Sequence, residues 1–283
     1  MEIIANPRSG KDNGIIALKK VQSYLNNRNI PHTIHITNKS GHAKELAQEL
    51  SEKGAKKIVA LGGDGTFHEV LNGIDFNKSS LGFIPAGRGN DFAKSSKISL
   101  NTEEALEAII RGNPETYDYI QIGDLRCLNV AGTGLDVDVL KYTANRNNKI
   151  TYAGSLLKCL LNYKPYTIQV ELDGQTKEYS CVMAGLCNGN QFGGGLKLCP
   201  PAKPDDGKLD LVVIEKPPRV PTFFLIPCFA KGNHMQKTFV KHFLCDKVKI
   251  TTPAPIQLDG EIYYNQSFDA QIVTGGVKTF AQL

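Results

Sequence analysis

The chain has 283 residues, of which 41% are hydrophobic and 22% are charged, and its formal net charge is +5 at pH 7. This composition is typical of a globular protein and argues against a disordered chain, and the length suits one large domain or two of ordinary size. The mild positive charge is compatible with an anionic ligand or membrane surface but requires neither.

The first 115 residues alternate predicted strands with predicted helices. Apolar residues line one face of the first predicted helix. Ser40 is placed to cap the start of the second helix. Asn101, with Glu104, is placed to cap the start of the fourth helix, and Gly112 closes its end. The predicted strands are 2–5, 33–37, 57–61 and 81–85, the helices are 12–27, 40–54, 66–72 and 103–111, and the apolar face of the first helix is Ile15, Leu18, Val21 and Leu25. Strands that alternate with helices predict a mostly parallel sheet.

The pattern changes near Glu115, where predicted hairpins replace the strand–helix alternation. The turns of these hairpins are Gly123-Asp124 and Asp173-Gly174. The hairpin arms are 117–122 with 126–131 and 167–172 with 177–184, further strands are 208–215, 247–252 and 267–273, and helical stretches are 149–162 and 221–232. We therefore predict a largely antiparallel second domain over residues 116–283, whose last residues can return to the first domain.

The seven cysteines form neither a metal-binding nor a disulfide pattern in the sequence. Their number is odd, and there is no C-x-x-C pair or His/Cys cluster, so we expect reduced thiols in a cytoplasmic protein and not a zinc site. A predicted strand begins at Glu2, so we expect no signal peptide before the fold. The longest apolar stretch, residues 223–230, is too short to cross a bilayer.

A glycine-rich turn follows the predicted strand 57–61. Its residues are Gly62-Gly63-Asp64-Gly65-Thr66. Glycine lets the backbone approach a bulky anion, and the first amide groups of the next helix have no partner within that helix. Asp64 would repel a phosphate unless a divalent cation or a proton transfer is involved. The turn therefore favours a magnesium-bound nucleoside triphosphate, although a lone turn of this kind can also be purely structural.

Two more loops follow predicted strands of the first domain. Asn6-Pro7-Arg8-Ser9-Gly10-Lys11 comes after the first strand, and residues 85–93 come after the fourth. The carboxyl ends of parallel strands meet at one edge of a sheet, so we expect the three loops to gather there. Each loop alone is as compatible with an ordinary turn, but the three together favour one nucleotide site. The chain has neither a Walker loop nor G-x-G-x-x-G after its first strand, which argues against P-loop enzymes and ordinary dehydrogenases.

These motifs resemble those of the diacylglycerol kinase and sphingosine kinase family of lipid kinases, with the bacterial soluble branch nearest. The resemblance covers nearly the whole chain, because residues 129–136, 204–210 and 258–261 match the second-domain motifs in order. It implies an α/β fold with a three-layer, Rossmann-like nucleotide domain of the NAD-kinase and diacylglycerol-kinase type over residues 1–115. A mainly antiparallel β domain then follows over residues 116–283.

The resemblance also implies roles for individual residues. Glu261 is the implied general base, with Asp259 beside it and Asp64 as a further catalytic carboxylate. A structural Mg²⁺ is implied at the Asp206 side chain and the backbone carbonyls of Lys203 and Lys208. The implied ATP-binding residues are Asn6, Pro7, Arg8, Ser9, Gly10, Thr37, Gly62, Gly63, Asp64, Gly65, Thr66, Arg88 and Asn90. Without the resemblance, Asp259-Gly260-Glu261 and Asp205-Asp206-Gly207 are each more typical of a plain turn.

Two positions depart from the family pattern. Arg88 stands where the family usually has a small hydroxyl residue, and it could grip a phosphate or crowd the site. His68 stands where bacterial members usually have asparagine, and we expect it to make a hydrogen bond on the helix face, with no acid–base role. The departures concern substrate and nucleotide preference more than the kinase class.

The expected activity is ATP- and Mg²⁺-dependent phosphorylation of a lipid hydroxyl, diacylglycerol-like or long-chain-base-like. The alternatives are an NAD kinase, which shares Gly-Gly-Asp-Gly, and an inactive regulator that binds lipid or nucleotide. Segments 139–170 and 216–245 combine basic with apolar residues, which suits peripheral docking on an anionic membrane, although core-facing helices with solvated lysines explain the pattern slightly better. We expect no nucleic-acid partner, and a homodimer is left open.

Overall fold

The computed structural model describes residues 1–144, 155, 158–159, 163–190, 192–193, 196–216 and 225–280. The chain divides into two compact units. Unit 1 is Met1–Tyr119 with Thr274–Leu283, and unit 2 is Ile120–Val273.

Unit 1 is built on a parallel sheet whose strands alternate with helices, as the sequence predicts. Its elements are β1 (Glu2–Ala5), α1 (Asn13–Asn27), β2 (Thr33–Ile36), α2 (His42–Glu52), β3 (Lys57–Gly62), α3 (Asp64–Leu71), β4 (Ser80–Pro85), α4 (Asp91–Ser95), α5 (Thr102–Arg111) and the first part of β5 (Glu115–Ile122). The strand order is β2-β1-β3-β4, and all three pairs are parallel. The last strand of the chain, β15 (Phe268–Thr279), adds a parallel pair between Thr279 and Leu81.

Helices cover both faces of this sheet. One face packs Ile3, Val59 and Ile84 against Val21 of α1 and Leu106 of α5. Successive side chains of a strand point to opposite faces, so Phe83 lies on the other face, where its ring stacks on Phe67 of α3 at 4.3 Å between centroids. The arrangement is the predicted three-layer α/β fold, and burial on both faces explains why β3 and β4 are almost continuously apolar.

Three local predictions for unit 1 are corrected by the structure. Ile15 is 43% exposed, because the buried face of α1 runs through Gly14, Ala17, Val21 and Leu25 and Ile15 lies about a quarter turn away. The N-cap of α2 is Gly41 in place of Ser40. The short helix α4 is absent from the predicted elements, whereas the Asn101 cap of α5 is confirmed by bonds from the amides of Glu103 and Glu104.

Unit 2 is antiparallel, as predicted. Its elements are the end of β5, β6 (Leu125–Cys127), β7 (Val130–Gly134), α6 (Leu135–Ala144), β8 (Tyr166–Leu172), β9 (Gln175–Cys187), β10 (Leu209–Glu215), α7 (Leu225–Lys231), a 3-10 turn (Asn233–Gln236), β11 (Val240–Cys245), β12 (Lys247–Thr251), β13 (Ile256–Leu258), β14 (Glu261–Tyr263) and the first part of β15. The long strand β9 pairs with β8 and β7 on one side and with β10 on the other.

The central strands of unit 2 bury both faces. In β10, Leu211 and Val213 belong to one apolar core, while Val212 and Ile214 belong to a second core on the opposite face. The predicted hairpin around Asp173 and Gly174 is confirmed, with φ of 51° and 74° at its two turn residues. Both residues are in the left-handed region that a tight two-residue hairpin turn requires.

The other predicted hairpin is shorter than expected. Its second arm ends at Cys127, and residues 130–134 form the separate strand β7, which pairs with β9 and β13. Predicted helix 149–162 lies almost entirely outside the described residues, and predicted helix 221–232 is described only from Leu225 onward, as α7. No helix in the described part of the chain is both long enough and apolar enough to cross a membrane.

Candidate active site

The strand order of unit 1 contains a topological switch point between β1 and β3. From β1 the chain passes to β2 on one side, while β3 pairs with the other side of β1. Ligands of open α/β sheets bind outside the carboxyl ends of the strands at such a point. The loops that follow β1 and β3 both start there, and the Asn6 amide donates to the Leu61 carbonyl at 2.9 Å.

The loop after β1 is held against the glycine-rich turn by side-chain hydrogen bonds. The Gly63 amide donates to Ser9 Oγ at 3.2 Å, and Asn6 Nδ2 donates to Thr66 Oγ1 at 3.2 Å. Asn6 Oδ1 in turn accepts from the Arg8 amide. Gly10 has φ of +62°, and a Cβ on it would lie 2.2 Å from the Ala86 carbonyl oxygen, so this loop also packs closely on the loop after β4.

Asp64 joins the glycine-rich turn to the loop after β4. Its two carboxylate oxygens accept from the backbone amides of Asn90, at 2.7 Å, and Asp91, at 2.9 Å. These amides open α4, and a carboxylate is a favourable partner for them. The backbones also approach closely, since a Cβ on Gly87 would lie 2.6 Å from Gly63 Cα. The three loops therefore gather as the sequence predicts, while a role of Asp64 in metal binding or proton transfer stays a prediction.

Two other predicted ATP-site residues have structural partners. Asn90 is buried, adopts φ of 52°, and closes its own loop because its side chain accepts from the Gly87 amide and donates to the Gly87 carbonyl. Thr37 lies just beyond β2, where its amide and its hydroxyl both donate to the Ala5 carbonyl. The amide–carbonyl bond and the hydroxyl bond place Thr37 beside the start of the first loop.

Basic side chains around the three loops are not neutralised. Arg8, Lys11 and Arg88 are exposed, and none of the three forms an ion pair with any residue that the structure describes. Pro7 lies within the first loop, and Pro85 ends β4 where the third loop begins. The loop region therefore carries positive charge that a polyphosphate could use.

Helix α3 carries two polar residues whose roles are structural. His68 is buried and shares a hydrogen bond with Asn72 Nδ2, which lies 3.3 Å from His68 Nε2, so the predicted helix-face hydrogen bond is confirmed. Glu69 accepts from the amides of Gly41, at 2.8 Å, and Ala43, at 3.0 Å. Its carboxylate thus caps α2, whose own N-cap residue, Gly41, has no side chain to do so.

In unit 2 the Asp-Gly-Glu motif forms the two-residue turn between β13 and β14. Asp259 and Gly260 have φ of 51° and 94°, and Leu258 pairs with Glu261. The Asp259 carboxylate accepts from the amides of Leu128 and Asn129, at 2.8 and 2.9 Å, and more weakly from that of Val130. These bonds wrap residues 128–130 around Asp259 and explain why the predicted hairpin arm breaks after Cys127.

Glu261 differs from Asp259 in its exposure and in its hydrogen bonding. It is exposed, and no hydrogen bond or ion pair joins its side chain to another residue within the described ranges. Beside the turn, the Cys127 thiol is buried and donates to Asp259, and burial, reinforced by the Asp259 charge, raises the pKa of Cys127. The predicted catalytic pair is therefore one anchoring carboxylate and one accessible carboxylate.

Two buried polar side chains, those of Asp136 and Gln257, support this turn through hydrogen bonds. Asp136 opens α6, and its Oδ2 accepts from Gln257 Nε2 at 3.1 Å, while Gln257 Oε1 accepts from the Gly260 amide at 2.9 Å. Burial raises the pKa of Asp136 to about 7, against the opposing effect of the bonds from Val137 and Gln257. Asp136 and Gln257 are thus both buried residues that hold the turn bearing Glu261.

The segment around Asp206 is a tight turn, as its sequence indicates. Asp206 Oδ1 accepts from the Lys208 amide at 3.0 Å, and Gly207 has φ of +72°. Lys208 Nζ pairs with Asp246 at 2.9 Å, and Lys203 is exposed. One carboxylate and backbone carbonyls are oxygen donors of the kind that Mg²⁺ prefers, so the residues fit the implied ion, whose binding stays a prediction.

Comparison with known proteins identifies the family to which the chain belongs. A model of the "Diacylglycerol kinase catalytic domain" matches residues 1–122. A model of the "YegS C-terminal NAD kinase beta sandwich-like domain" matches residues 129–281. The chain belongs to the diacylglycerol kinase family of lipid kinases.

Relatives in this lipid kinase family match the chain over most of its length. The Bacillus subtilis protein named "Putative lipid kinase YtlR" is 29% identical, with 92% of each chain covered. A Bacillus subtilis "Diacylglycerol kinase" is 28% identical, over 92% of this chain and 88% of that protein. The crystal structure of a "putative diacylglycerol kinase" from Bacillus anthracis has a TM-score of 0.81 at 23% identity, over 99% of this chain and 96% of that one, and supports the fold.

Two features of this lipid kinase family member were missed by the sequence reasoning. The capping role of Glu69 is not predicted from the sequence, and only the absence of a capping side chain at Gly41 could have pointed to a carboxylate from elsewhere. The hydrogen bond between Asp136 and Gln257 is likewise not predicted, because the two residues are 121 positions apart in the chain. No local spacing could reveal that pair.

Proposed function

We propose that this protein transfers the γ-phosphoryl group of ATP to the hydroxyl of a lipid that is diacylglycerol-like or resembles a long-chain base. The observation that supports this most directly is the joining of three glycine-containing loops at the switch point of unit 1, through the bonds made by Ser9, Asn6 and Asp64.

Unit 1 supplies the nucleotide-binding groups in this proposal. The first amide groups of α3 lack partners within the helix, and Gly62, Gly63 and Gly65 leave the backbone bare beside them. Arg8 and Arg88 are exposed and can turn toward the triphosphate. Mg²⁺ neutralises charge on the transferring phosphate in such reactions; a second, structural Mg²⁺ would be held by Asp206 with the carbonyls of Lys203 and Lys208.

Unit 2 supplies the proton acceptor. A lipid alcohol is a poor nucleophile, so a carboxylate must accept its proton as the phosphoryl group transfers. The exposed, unpaired carboxylate of Glu261 suits this role, whereas the Asp259 carboxylate is occupied by backbone amides. Asp259, Asp136 and Gln257 act in this scheme as positioning residues, because they hold the turn on which Glu261 lies.

We also propose that the protein works at the surface of an anionic membrane, because its acceptor is a lipid. The described part of the two basic and apolar segments includes exposed Lys158 and Lys231. The net charge of +5 favours such a surface electrostatically.

Labelled ATP offered with diacylglycerol, sphingosine or NAD tests the proposed reaction. Transfer to either lipid supports it, transfer to NAD supports the NAD kinase alternative, and ATP binding without transfer to any acceptor supports an inactive regulator. Arg88 keeps this last alternative open, because it differs from the family pattern within the ATP site.

Glu261→Gln isolates the proposed base. We expect lipid phosphorylation to fall by about 10²- to 10⁴-fold, with ATP affinity measured by calorimetry unchanged, since the side chain makes no hydrogen bond or ion pair within the described ranges. The matched control is Glu171→Gln, another exposed glutamate of unit 2, which should retain full activity. An active Glu261→Gln protein would refute the assignment of the base.

A further inference from the structure

Unit 2 brings together three side chains of different ligand types. Cys199, Asp210 and His242 each place a ligand atom within 4.8 Å of the other two. His242 Nε2 lies 2.6 Å from Asp210 Oδ1 and 3.9 Å from Cys199 Sγ. The three residues come from three segments: the loop before β10, β10 itself, and β11.

The register of the strands explains this meeting. In the antiparallel pair of β10 and β11, Val212 is opposite His242 and Asp210 is opposite Leu244. Asp210 and His242 are therefore diagonal neighbours on one face of the sheet, within reach of each other. The Cys199 segment packs on this same face, because Cys199 shares an apolar core with Val212.

Thiolate, carboxylate and imidazole are the three ligand types that zinc sites in proteins use. With Zn–S of about 2.3 Å and Zn–N or Zn–O of about 2.0 Å, tetrahedral ligand atoms lie roughly 3 to 4 Å apart. The sulfur–nitrogen distance already lies in this range, and the histidine–aspartate pair needs to open only slightly. Cys199 and Asp210 are buried, while the His242 side chain is 30% exposed and leaves an entry path.

We propose that Cys199 Sγ, Asp210 Oδ1 and His242 Nε2 form a Zn²⁺ site with water in the fourth position. When no Zn²⁺ is bound, the ion pair with His242 compensates the charge of the buried Asp210 carboxylate. On binding, Zn²⁺ replaces the protons of the Cys199 thiol and of the protonated His242 ring, and both protons leave to solvent. Cys187 belongs to the same buried core as Cys199.

Zinc at this position would clamp β10 and β11 to the segment that leads into the turn around Asp206. The site is distinct from that turn in its chemistry, because Mg²⁺ prefers oxygen ligands throughout. Excess Mg²⁺ should therefore leave bound Zn²⁺ in place. The proposal does not depend on the kinase reaction, so a catalytically inactive protein would bind zinc equally.

Calorimetric titration of the metal-free full-length protein with Zn²⁺ tests the site. We expect one ion per chain, with affinity reduced more than about tenfold in Cys199→Ser and in His242→Gln. The matched control is Cys245→Ser, because Cys245 lies on the same strand as His242 but in the opposite core; its affinity should be unchanged. Bound Co²⁺ should show thiolate charge-transfer absorption in the wild type and the control but not in Cys199→Ser.

A readout of folding complements the titration. Zn²⁺ should raise the thermal midpoint of the wild type and leave that of His242→Gln unmoved. In this variant the glutamine amide can still donate a hydrogen bond to the buried Asp210 carboxylate, although the ion pair is lost. The proposal is overturned if the folded wild type binds no Zn²⁺, if Mg²⁺ displaces it, or if His242→Gln retains wild-type affinity. Should Cys199→Ser fail to fold, the His242→Gln result alone decides.

Discussion

Asp259 and Glu261 show how two acids of one motif can have opposite roles. Asp259 accepts bonds from three consecutive backbone amides, of Leu128, Asn129 and Val130, and so fixes a turn. Glu261 makes no such bonds and remains accessible. The motif therefore combines Asp259, which the fold requires, with Glu261, which the fold does not require.

Asp259→Asn should destabilise the protein while Glu261→Gln should not. Asparagine retains one acceptor oxygen but loses the charge that strengthens the amide bonds, so we expect the free energy of unfolding to fall by about 3 kcal/mol. For the surface substitution Glu261→Gln we expect a change within about 0.5 kcal/mol. Urea denaturation measures both, and equal stability of the two variants would contradict the separation of roles.

Asp136 should make the protein more stable at acidic than at neutral pH. Its folded pKa of about 7 lies above the unfolded value of about 3.9, so the folded state binds the proton more tightly. The stabilisation is fully present below about pH 4 and is lost as pH rises through about 7. The pKa of Asp138 is also raised, chiefly by burial, and acts in the same direction.

Asp136→Asn should flatten this dependence, because its side chain does not titrate. Unfolding free energies measured at intervals from pH 4 to pH 8 give the slope for each protein. We expect the variant to lack the part of the slope that Asp136 contributes up to about pH 7. Asp138 and, above about pH 6.5, His242, whose pKa is raised to about 10 by its hydrogen bond to Asp210, contribute equally to the slope of both proteins. Identical slopes would show that Asp136 is charged in the folded protein.

At the scale of elements, the three loops depend on close backbone contact at two glycines. A Cβ at position 87 would lie 2.6 Å from Gly63 Cα, a backbone atom that cannot rotate away. Gly87→Ala should therefore push the loops apart, with a loss of stability of about 1 to 3 kcal/mol. We also expect ATP affinity to fall at least about tenfold, because misplacement of binding groups by about 1 Å is costly.

Gly54→Ala is the control for this substitution. Gly54 has φ of +84°, but a Cβ there meets no atom within 4 Å, so only the backbone conformation opposes the change. It should lower stability by about 1 kcal/mol and leave ATP affinity unaltered. If the two variants bind ATP equally well, the loops are not the nucleotide site.

The elements of unit 1 were largely predictable, because strands and helices repeat in segments whose apolar pattern is local. The features that were not predicted depend on contacts between residues that are far apart in the sequence. Helix α4 has only five residues and begins where the Asp64 carboxylate, 26 residues earlier, accepts its first amides. The break between β6 and β7 is set by Asp259, about 130 residues later. The meeting of the three loops was predictable because parallel strands end on one edge, whereas the partners of Asp64 and Asn90 were not.

For the molecule as a whole, net charge is the property on which the proposed membrane binding depends. A protein with charge +5 should pellet with vesicles that contain anionic lipid and be released by salt, since the Debye length falls from about 10 Å at 0.1 M to about 3 Å at 1 M. Lys231→Glu, at the end of α7, should weaken pelleting more than Lys19→Glu in α1, an equal change of charge in unit 1. Equal weakening would place the docking face elsewhere, and binding insensitive to salt would remove the electrostatic mechanism.

The separation between the anchoring aspartate and the spare glutamate has an evolutionary consequence. A descendant that exchanged Glu261 for an inert residue should keep its turn and its folding energy. With Glu261 as the proposed base, a single codon change would remove phosphoryl transfer and leave the fold intact. Inactive descendants of this kind would retain the equivalent of Asp259 and carry a different residue at the position of Glu261.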